Sequence, residues 1–405
     1  MECGERQYDI VLFGATSFVG EIVAERLLER AGSQRIAFAA RNQSKLDALK
    51  ARLSVDVPTL VADAHDEESL REMVCSTRLV VSTVGPYALH GSTLVEFAAA
   101  SGTDYCDLTG EPQWMQRMID MHGSTAENTG ARLVPACGFD AIPSDVGVLY
   151  TQRQALERFG APCSQISMRV KALKGGASGG TIASMMNIFE EASTDPDVRR
   201  VLANPYSLAP TGLREGISQH ELRGPMQDEA TGSWIAPFVM APVNTRVVHR
   251  SHALLGRPWG EDFLYDEATI AGQGPTGLAR ATALSAGLAG LSSAARVDKL
   301  RGVLADRVLT KPGDGPDQQK RDAGYFTLHF YGTTSAGDTI TTAVSGDRDP
   351  GYGSTAKMLT EAALLLADLD PADVPGGFWT PATALSEKLI ERLSSHAGVA
   401  FATLD

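Results

Sequence analysis

The chain of 405 residues is short of positive charge, of paired cysteines and of long apolar runs. Its 36 Lys+Arg stand against 49 Asp+Glu, a net charge of -13, and no basic block relieves the imbalance. Such a surface repels a phosphate backbone, so nucleic acid is not an expected partner. Five cysteines, Cys3, Cys75, Cys106, Cys137 and Cys163, are odd in number and contain no CxxC pair. Neither a disulfide framework nor a zinc site is expected, and a reducing cytosol fits. The eight histidines lack HxxxH spacing, so no metal is expected. Met1 to Asp9 is polar and runs straight into an apolar strand, unlike a secretory signal. The longest weakly apolar stretch, Arg280 to Arg296, is rich in Ala, Ser and Gly and falls short of the ~20 residues that span a bilayer. A cytoplasmic, globular protein is expected, too long for one ordinary core and therefore of more than one domain. What it has in excess is glycine, at 40 residues.

The first third alternates short apolar runs with helical periodicity, the pattern of parallel βαβ units. Strands are expected at Tyr8 to Phe13, Arg35 to Ala40, Thr59 to Ala62, Leu79 to Ser82, Thr103 to Asp107 and Arg132 to Ala136. Helices are expected between them at Val19 to Arg30, from Ser44 as cap to Leu53, Asp66 to Cys75, Leu89 to Ala100 and Pro112 to Asn128. Together they make a doubly wound α/β half. Beyond Gly138 the pattern becomes mixed, with a helix at Pro143 to Phe159, a strand at Gln165 to Ala172 and a hairpin from Tyr325 to Tyr331 and Thr339 to Val344. Pro312 to Ala323 reads as a loop, and helices follow at Ser354 to Leu369 and Pro381 to Leu393.

The first strand ends in Gly14-Ala15-Thr16-Ser17-Phe18-Val19-Gly20 and opens into a helix, the setting a dinucleotide fingerprint needs. Gly14 permits the tight turn, Gly20 permits close packing, and amides at the helix start can hold a pyrophosphate. Ser17 stands where such turns usually carry a further glycine; its Cβ takes room, and its hydroxyl can donate to phosphate. At the end of the second strand, where NAD-binding folds place an acid, this chain has Arg41, with Asn42 and Lys45 behind it. A guanidinium there suits a 2′-phosphate, so NADP(H) is the expected cofactor. Asp63, after the third strand, is a candidate acceptor for the adenine amino group or a turn-capping residue. Thr83-Val84-Gly85-Pro86-Tyr87 follows the fourth strand at the edge where open α/β sheets bind ligands. Tyr87 is then either a wall with a hydroxyl handle or a packing residue.

These blocks, with Tyr105-Cys106-Asp107-Leu108-Thr109-Gly110-Glu111 and Gly138-Phe139-Asp140-Ala141-Ile142-Pro143-Ser144-Asp145, resemble the saccharopine dehydrogenase-like oxidoreductases. Within them the chain is most similar to the trans-acting enoyl reductases of mycobacteria and their relatives. Lys174-Gly175-Gly176, Ser178-Gly179-Gly180-Thr181, Pro237 to Pro242, Asp349-Pro350-Gly351-Tyr352 and Thr380-Pro381-Ala382 carry the likeness to the end of the chain. The resemblance implies a Rossmann domain over 1–138, an inserted mixed α/β domain over 139–349, and C-terminal helices over 350–405 that return to the nucleotide domain. It implies an oxidoreductase that uses a nicotinamide cofactor, and its enoyl reductase branch implies reduction of a carbon–carbon double bond in a polyketide or lipid intermediate carried on a partner synthase.

Enoyl reduction needs donors for an enolate oxygen and a proton for the α-carbon. Tyr87, Tyr105 and Ser144 are the side-chain candidates, with the amides from Gly175 to Gly180 as an anion nest. Asp140 and Asp145 read as helix caps, Glu111 as a first-turn acid, and Cys106 and Cys137 as packed thiols. Arg280 to Arg296, with Leu284, Leu288 and Leu291 on one face, is either a buried interdomain helix or one that meets lipid. Three functions remain open: an enoyl reductase, a saccharopine-type enzyme of amino acids and semialdehydes, and a non-catalytic NADPH-binding, lipid-associated protein.

Overall fold

The computed structural model describes residues 3–176, 179–295 and 315–404. Ser178 of the glycine-rich loop, Arg296 at the end of the weakly apolar stretch and residues 312–314 of the charged loop lie outside the described residues. The first half runs β1 (Tyr8–Phe13), α1 (Phe18–Arg30), β2 (Ile36–Ala40), α2 (Gln43–Leu53), β3 (Thr59–Val61), α3 (Glu67–Cys75), β4 (Thr77–Ser82), α4 (Tyr87–His90), α5 (Ser92–Ser101), β5 (Asp104–Asp107), α6 (Pro112–Thr129) and β6 (Arg132–Val134). After α7 (Ile142–Phe159) come β7 (Cys163–Lys174), α8 (Gly179–Thr194), α9 (Pro196–Ala203), β8 (Met226–Gln227), β9 (Trp234–Pro237), α10 (Ala241–Leu254), β10 (Leu264–Gly272) and α11 (Gly274–Ala295). Strands β11 (Tyr325–Thr334), β12 (Thr339–Gly346), β13 (Gly377–Phe378) and β14 (Val399–Thr403) complete two sheets, with helices at Thr355–Asp368 and Pro381–Arg392.

The first sheet is parallel throughout, in the order β13-β6-β5-β4-β1-β2-β3. Both faces of its central strands are buried, which is why they read as continuous apolar runs. Ile10 and Leu12 of β1 face one core with α1 and the helix Thr355–Asp368, while Val11 and Phe13 face another with α3, α5 and α6. The second sheet is mixed, in the order β14-β12-β11-β7-β10-β9-β8, with β7 and β10 parallel. Its inward residues Met168, Leu328 and Phe330 join the same core as Ile10 and Leu12. The last residues serve both sheets: β13 extends the parallel one beside β6, and β14 edges the mixed one beside β12.

Local chemistry accounts for several departures from the expected elements. Helix α2 is capped by Asn42, not Ser44, because Asn42 Oδ1 accepts from the Lys45 amide at 3.0 Å. The helix expected over Leu89 to Ala100 divides into α4 and α5 at Gly91, where a Cβ would stand 2.8 Å from the Trp114 ring. Cys3 and Cys75 are joined in a disulfide 72 residues apart, contrary to the expectation of free thiols, and it ties the N-terminal segment to the end of α3. Cys106 and Cys137 are buried free thiols. Helix α11 is not a buried interdomain helix: it packs on β9, β10 and α8 through residues such as Gly277 and Ala281, with Leu278 and Leu284 exposed. Among the described residues no helix is long and apolar enough to cross a membrane.

Candidate functional site

The site is built at the carboxyl edge of the parallel sheet, between β1 and β4, where the strand order reverses. Gly14 leaves β1 at φ +87°, and a Cβ there would lie 2.6 Å from Thr83 Oγ1 and 2.8 Å from Val84. A Cβ at Gly20 would stand 2.1 Å from the Gly14 carbonyl oxygen, so only glycine seats α1 this close to the turn. Ser17 is the N-cap of α1. Its Oγ accepts from the Gly20 amide at 2.9 Å and lies 3.1 Å from Thr83 Oγ1, which itself lies 3.0 Å from the Gly14 carbonyl. The hydroxyl expected to serve phosphate therefore locks the turn to β4. Thr16, Phe18 and Val19 are half-buried along it, and the Phe18 and Val19 amides, in the first turn of α1, have no acceptor within the helix. That arrangement of amides at a helix start, with Gly14 bringing backbone close, fits a pyrophosphate.

Phe18 is held from the other side. Its ring meets Tyr352 edge-on at 4.8 Å between centroids, the Arg321 guanidinium lies 5.4 Å above it, and a Cβ at Gly315 would be 2.2 Å away. Tyr352 Oη accepts from the Gly179 amide at 3.0 Å. The glycine-rich loop thus spends that amide on holding the closure over the turn.

At the end of β2, Arg41 is exposed and forms no ion pair with any described residue, and Lys45 stands exposed one turn on. An unpaired guanidinium at this position fits a 2′-phosphate. Asn42, expected at the same ligand, spends its oxygen on the cap of α2. Asp63 Oδ1 accepts from the His65 amide at 3.0 Å, which makes it a turn-forming acid.

The fourth-strand loop carries the other end of the crevice. Gly85 is exposed and Pro86 half-buried ahead of Tyr87, which is 4% exposed. The Tyr87 hydroxyl donates to the Ser82 carbonyl and accepts from the Leu108 amide, both at 3.1 Å. Burial, then the charge of Asp107, holds that phenol well above its usual pKa. The Tyr105 hydroxyl donates to Asp107 Oδ2 at 2.7 Å inside the sheet's core. Both phenols thus brace the loop with their protons committed. Ser144 stands apart from them, in a network where Asn244 Nδ2 donates to Ser144 Oγ at 3.1 Å and to Glu267 Oε2 at 2.9 Å.

Sequence reasoning underrated the acids here. Glu111 precedes α6 but caps another helix: its carboxylate accepts from the amides of Tyr87 at 2.7 Å and Ala88 at 3.0 Å, the start of α4, and from Ser184 Oγ of α8 at 2.7 Å. Burial pushes its pKa up, while those donors act the other way. Asp107 is pushed up to about 6 by burial. Asp140 is pushed up to about 7, again by burial and with Asp107 adding to it. Neither Asp140 nor Asp145 caps α7, whose N-cap is Ala141 without a side-chain bond. Asp145 instead accepts from Ser251 Oγ on α10 and from the Ala382 amide, tying three distant segments together. Of Asp107, Glu111 and Asp140, only Asp140 keeps exposed surface, beside Gly110 and Gly138 at the ends of β5 and β6. The placing of acids at two successive strand ends, Asp107 and Glu111 after β5 and Asp140 after β6, was the signal that could have marked them. Among the described residues no cluster of His, Cys, Asp and Glu is arranged to hold a metal.

Residues 10–134 match the family model of the saccharopine dehydrogenase NADP binding domain. Over its whole length the chain is similar to proteins of the trans-acting enoyl reductase group. It is 41% identical to one of Mycobacterium tuberculosis, strain H37Rv, over 100% of this chain and 99% of that one. It is 37% identical to the trans-acting enoyl reductase of Mycobacterium bovis BCG, with the same shares covered. Among solved structures, apo saccharopine dehydrogenase (L-Glu forming) from Saccharomyces cerevisiae matches 98% of this chain and 100% of its own, with TM-score 0.52 and 12% identity, a likeness of fold.

Proposed function

The chain belongs to the saccharopine dehydrogenase-like family of the trans-acting enoyl reductases, and from that premise we propose that it reduces the carbon–carbon double bond of an enoyl thioester in a polyketide or lipid intermediate. It is an NADP-dependent oxidoreductase. The observation that carries the enoyl reading is the 37–41% identity that continues through the second sheet to the end of the chain. The electrostatics of the crevice support it. Asp140, beside Gly110 and Gly138, is an acid where an amino-acid substrate bearing two or three carboxylates would need a cation. Arg169, a cation that such a substrate could recruit, is already engaged by Asp228 at 2.8 Å and by Asp266.

When bound, NADPH supplies the hydride for the β-carbon. The protein's part is to place and to protonate. The Phe18 and Val19 amides, with Gly14, hold the pyrophosphate; Arg41 and Lys45 hold the 2′-phosphate; Thr83, Val84, Gly85 and Pro86 shape the passage to the nicotinamide end. Tyr87 and Tyr105 keep that wall in place from behind, through Leu108 and Asp107. Asp140, half-buried beside Gly110 and Gly138 with its pKa pushed up to about 7, holds the proton destined for the α-carbon. The substrate reaches the site as a thioester on the carrier of a partner synthase, in keeping with the name of the relatives. Exposed Leu278 and Leu284 of α11, in a stretch without acids from Ala268 to Val297, support a contact with the substrate's lipid environment.

NADPH absorbance followed against a panel of enoyl thioesters and of keto acids with amines tests the reading. Consumption with the enoyl thioesters is the expected result. Turnover only with an imine-forming pair would overturn it.

A further inference from the structure

We propose that His65 and His90 form a second cationic subsite for the 2′-phosphate of NADP(H), beside Arg41, and that the pair takes up a proton when that phosphate binds. This rests on the reading of the crevice as an NADP(H) site and adds to it two residues from strand ends that the phosphate turn does not contain.

The two rings come from separate connections of the parallel sheet. His65 stands two residues beyond Asp63, after β3, and His90 closes α4, after β4. They meet with His90 Nδ1 3.1 Å from His65 Nε2, ring centroids 5.0 Å apart and planes at 77°. One hydrogen occupies that bond, so one nitrogen donates and the other accepts. His65 Nδ1 and His90 Nε2 lie outside it. His65 is exposed and His90 half-buried, at the same edge as Arg41.

The charges around the pair set its resting state. Burial holds His90 below its usual pKa, His65 and Arg41 add to that, and Asp63 alone opposes them. Burial and the neighbouring cation thus favour the neutral ring of His90. A 2′-phosphate set beside Arg41, whose charge His90 already feels, brings a charge of about -2, and such an anion reverses the balance by favouring imidazolium. With a proton gained, the ring-to-ring bond becomes charge-assisted and both outer nitrogens become N–H donors to phosphate oxygens. No covalent step is involved; the proton comes from solvent. A further cation has work to do here, because His65 is followed at once by Asp66, Glu67 and Glu68, the acidic start of α3, which repel the phosphate that Arg41 and Lys45 hold. NADH, lacking the phosphate, gives the pair no reason to protonate.

The test is binding of NADPH and NADH to the full chain between pH 5.5 and 8.5, with proton uptake measured by calorimetry in two buffers of different ionisation enthalpy. Wild type is compared with His65→Ala, His90→Ala and His90→Gln, the last keeping a hydrogen-bonding side chain that cannot titrate. The 2′-phosphate itself also titrates in this range, so the difference between wild type and variant is what is read. The expected result is extra proton uptake with NADPH in wild type only, and about a tenfold loss of NADPH affinity at pH 6.5 in each variant with NADH affinity unchanged. Variants that match wild type in proton uptake and in the NADPH-to-NADH ratio overturn the subsite and leave the crevice reading intact. A wild type that binds neither nucleotide overturns both.

Discussion

Replacing Glu111 by alanine should loosen the crevice wall by removing one carboxylate that three segments share. Glu111 is fully buried and accepts from the Tyr87 and Ala88 amides and from Ser184 Oγ. The two amides belong to the first turn of α4, where no helical carbonyl can take them. Each buried donor left unpaired costs about 1–3 kcal/mol. Two amides therefore set a gross cost of about 2–6 kcal/mol, and release from burying a carboxylate, which the raised pKa of Glu111 registers, returns part of it. A net loss of about 2–4 kcal/mol is expected. Glu111→Gln keeps one acceptor oxygen and should lose about 1–2 kcal/mol, and Ser184→Ala, which removes a single donor, about 1 kcal/mol. Urea unfolding gives the order through the midpoint at constant slope. Binding of NADPH by the folded variants gives the functional half, since Tyr87 anchors the loop of Gly85 and Pro86. The reasoning fails if Glu111→Ala costs no more than Ser184→Ala, because the α4 amides would then owe nothing to the carboxylate.

Arg41→Ala should weaken NADPH about ten- to hundred-fold and leave NADH alone, as loss of one charge-assisted contact predicts; an unchanged ratio of the two affinities discards the assignment. Gly20→Ala places a Cβ 2.1 Å from the Gly14 carbonyl, which is backbone and cannot swing away. Both nucleotides should lose affinity and the thermal midpoint should fall, and normal binding by this variant would refute the packing argument. For Asp140, pushed up to about 7 by burial, the protonated form is the one needed, so kcat should be highest below pH 7 and fall above it. Asp140→Asn should lower kcat about 10²–10⁴-fold and abolish that alkaline limb. Survival of the limb in the variant would remove Asp140 as the proton holder.

Much of the parallel sheet was legible because its instructions are local. A strand buried on both faces reads as a continuous apolar run, and a helix that must pack on it reads with period 3.6. Gly14 and Gly20 were legible because a tight turn and a close helix approach exclude a Cβ at those positions, and Arg41 because it ends the strand next to them. Ser17 was read only in part. Its place at the helix start was plain and its bond to Gly20 is a local cap, but its bond across to Thr83 depends on β4 lying beside β1.

The acids and the distant pairs belong to the tertiary structure. In sequence Glu111 stands just before Pro112 and Asp145 two residues after Pro143, the usual look of acids at a helix start. Their partners lie 73 residues away at Ser184 and 237 away at Ala382. The Cys3–Cys75 bond and the His65–His90 contact are of the same kind. The alternation of strands and helices, the phosphate turn and the cation at the end of β2 are written in the order of residues, because steric demands and periodicity act over a few positions. Only the tertiary structure decided what each carboxyl and imidazole does, because a titratable group takes its role from burial and from the donors and charges around it, and folding brings those from anywhere in the chain.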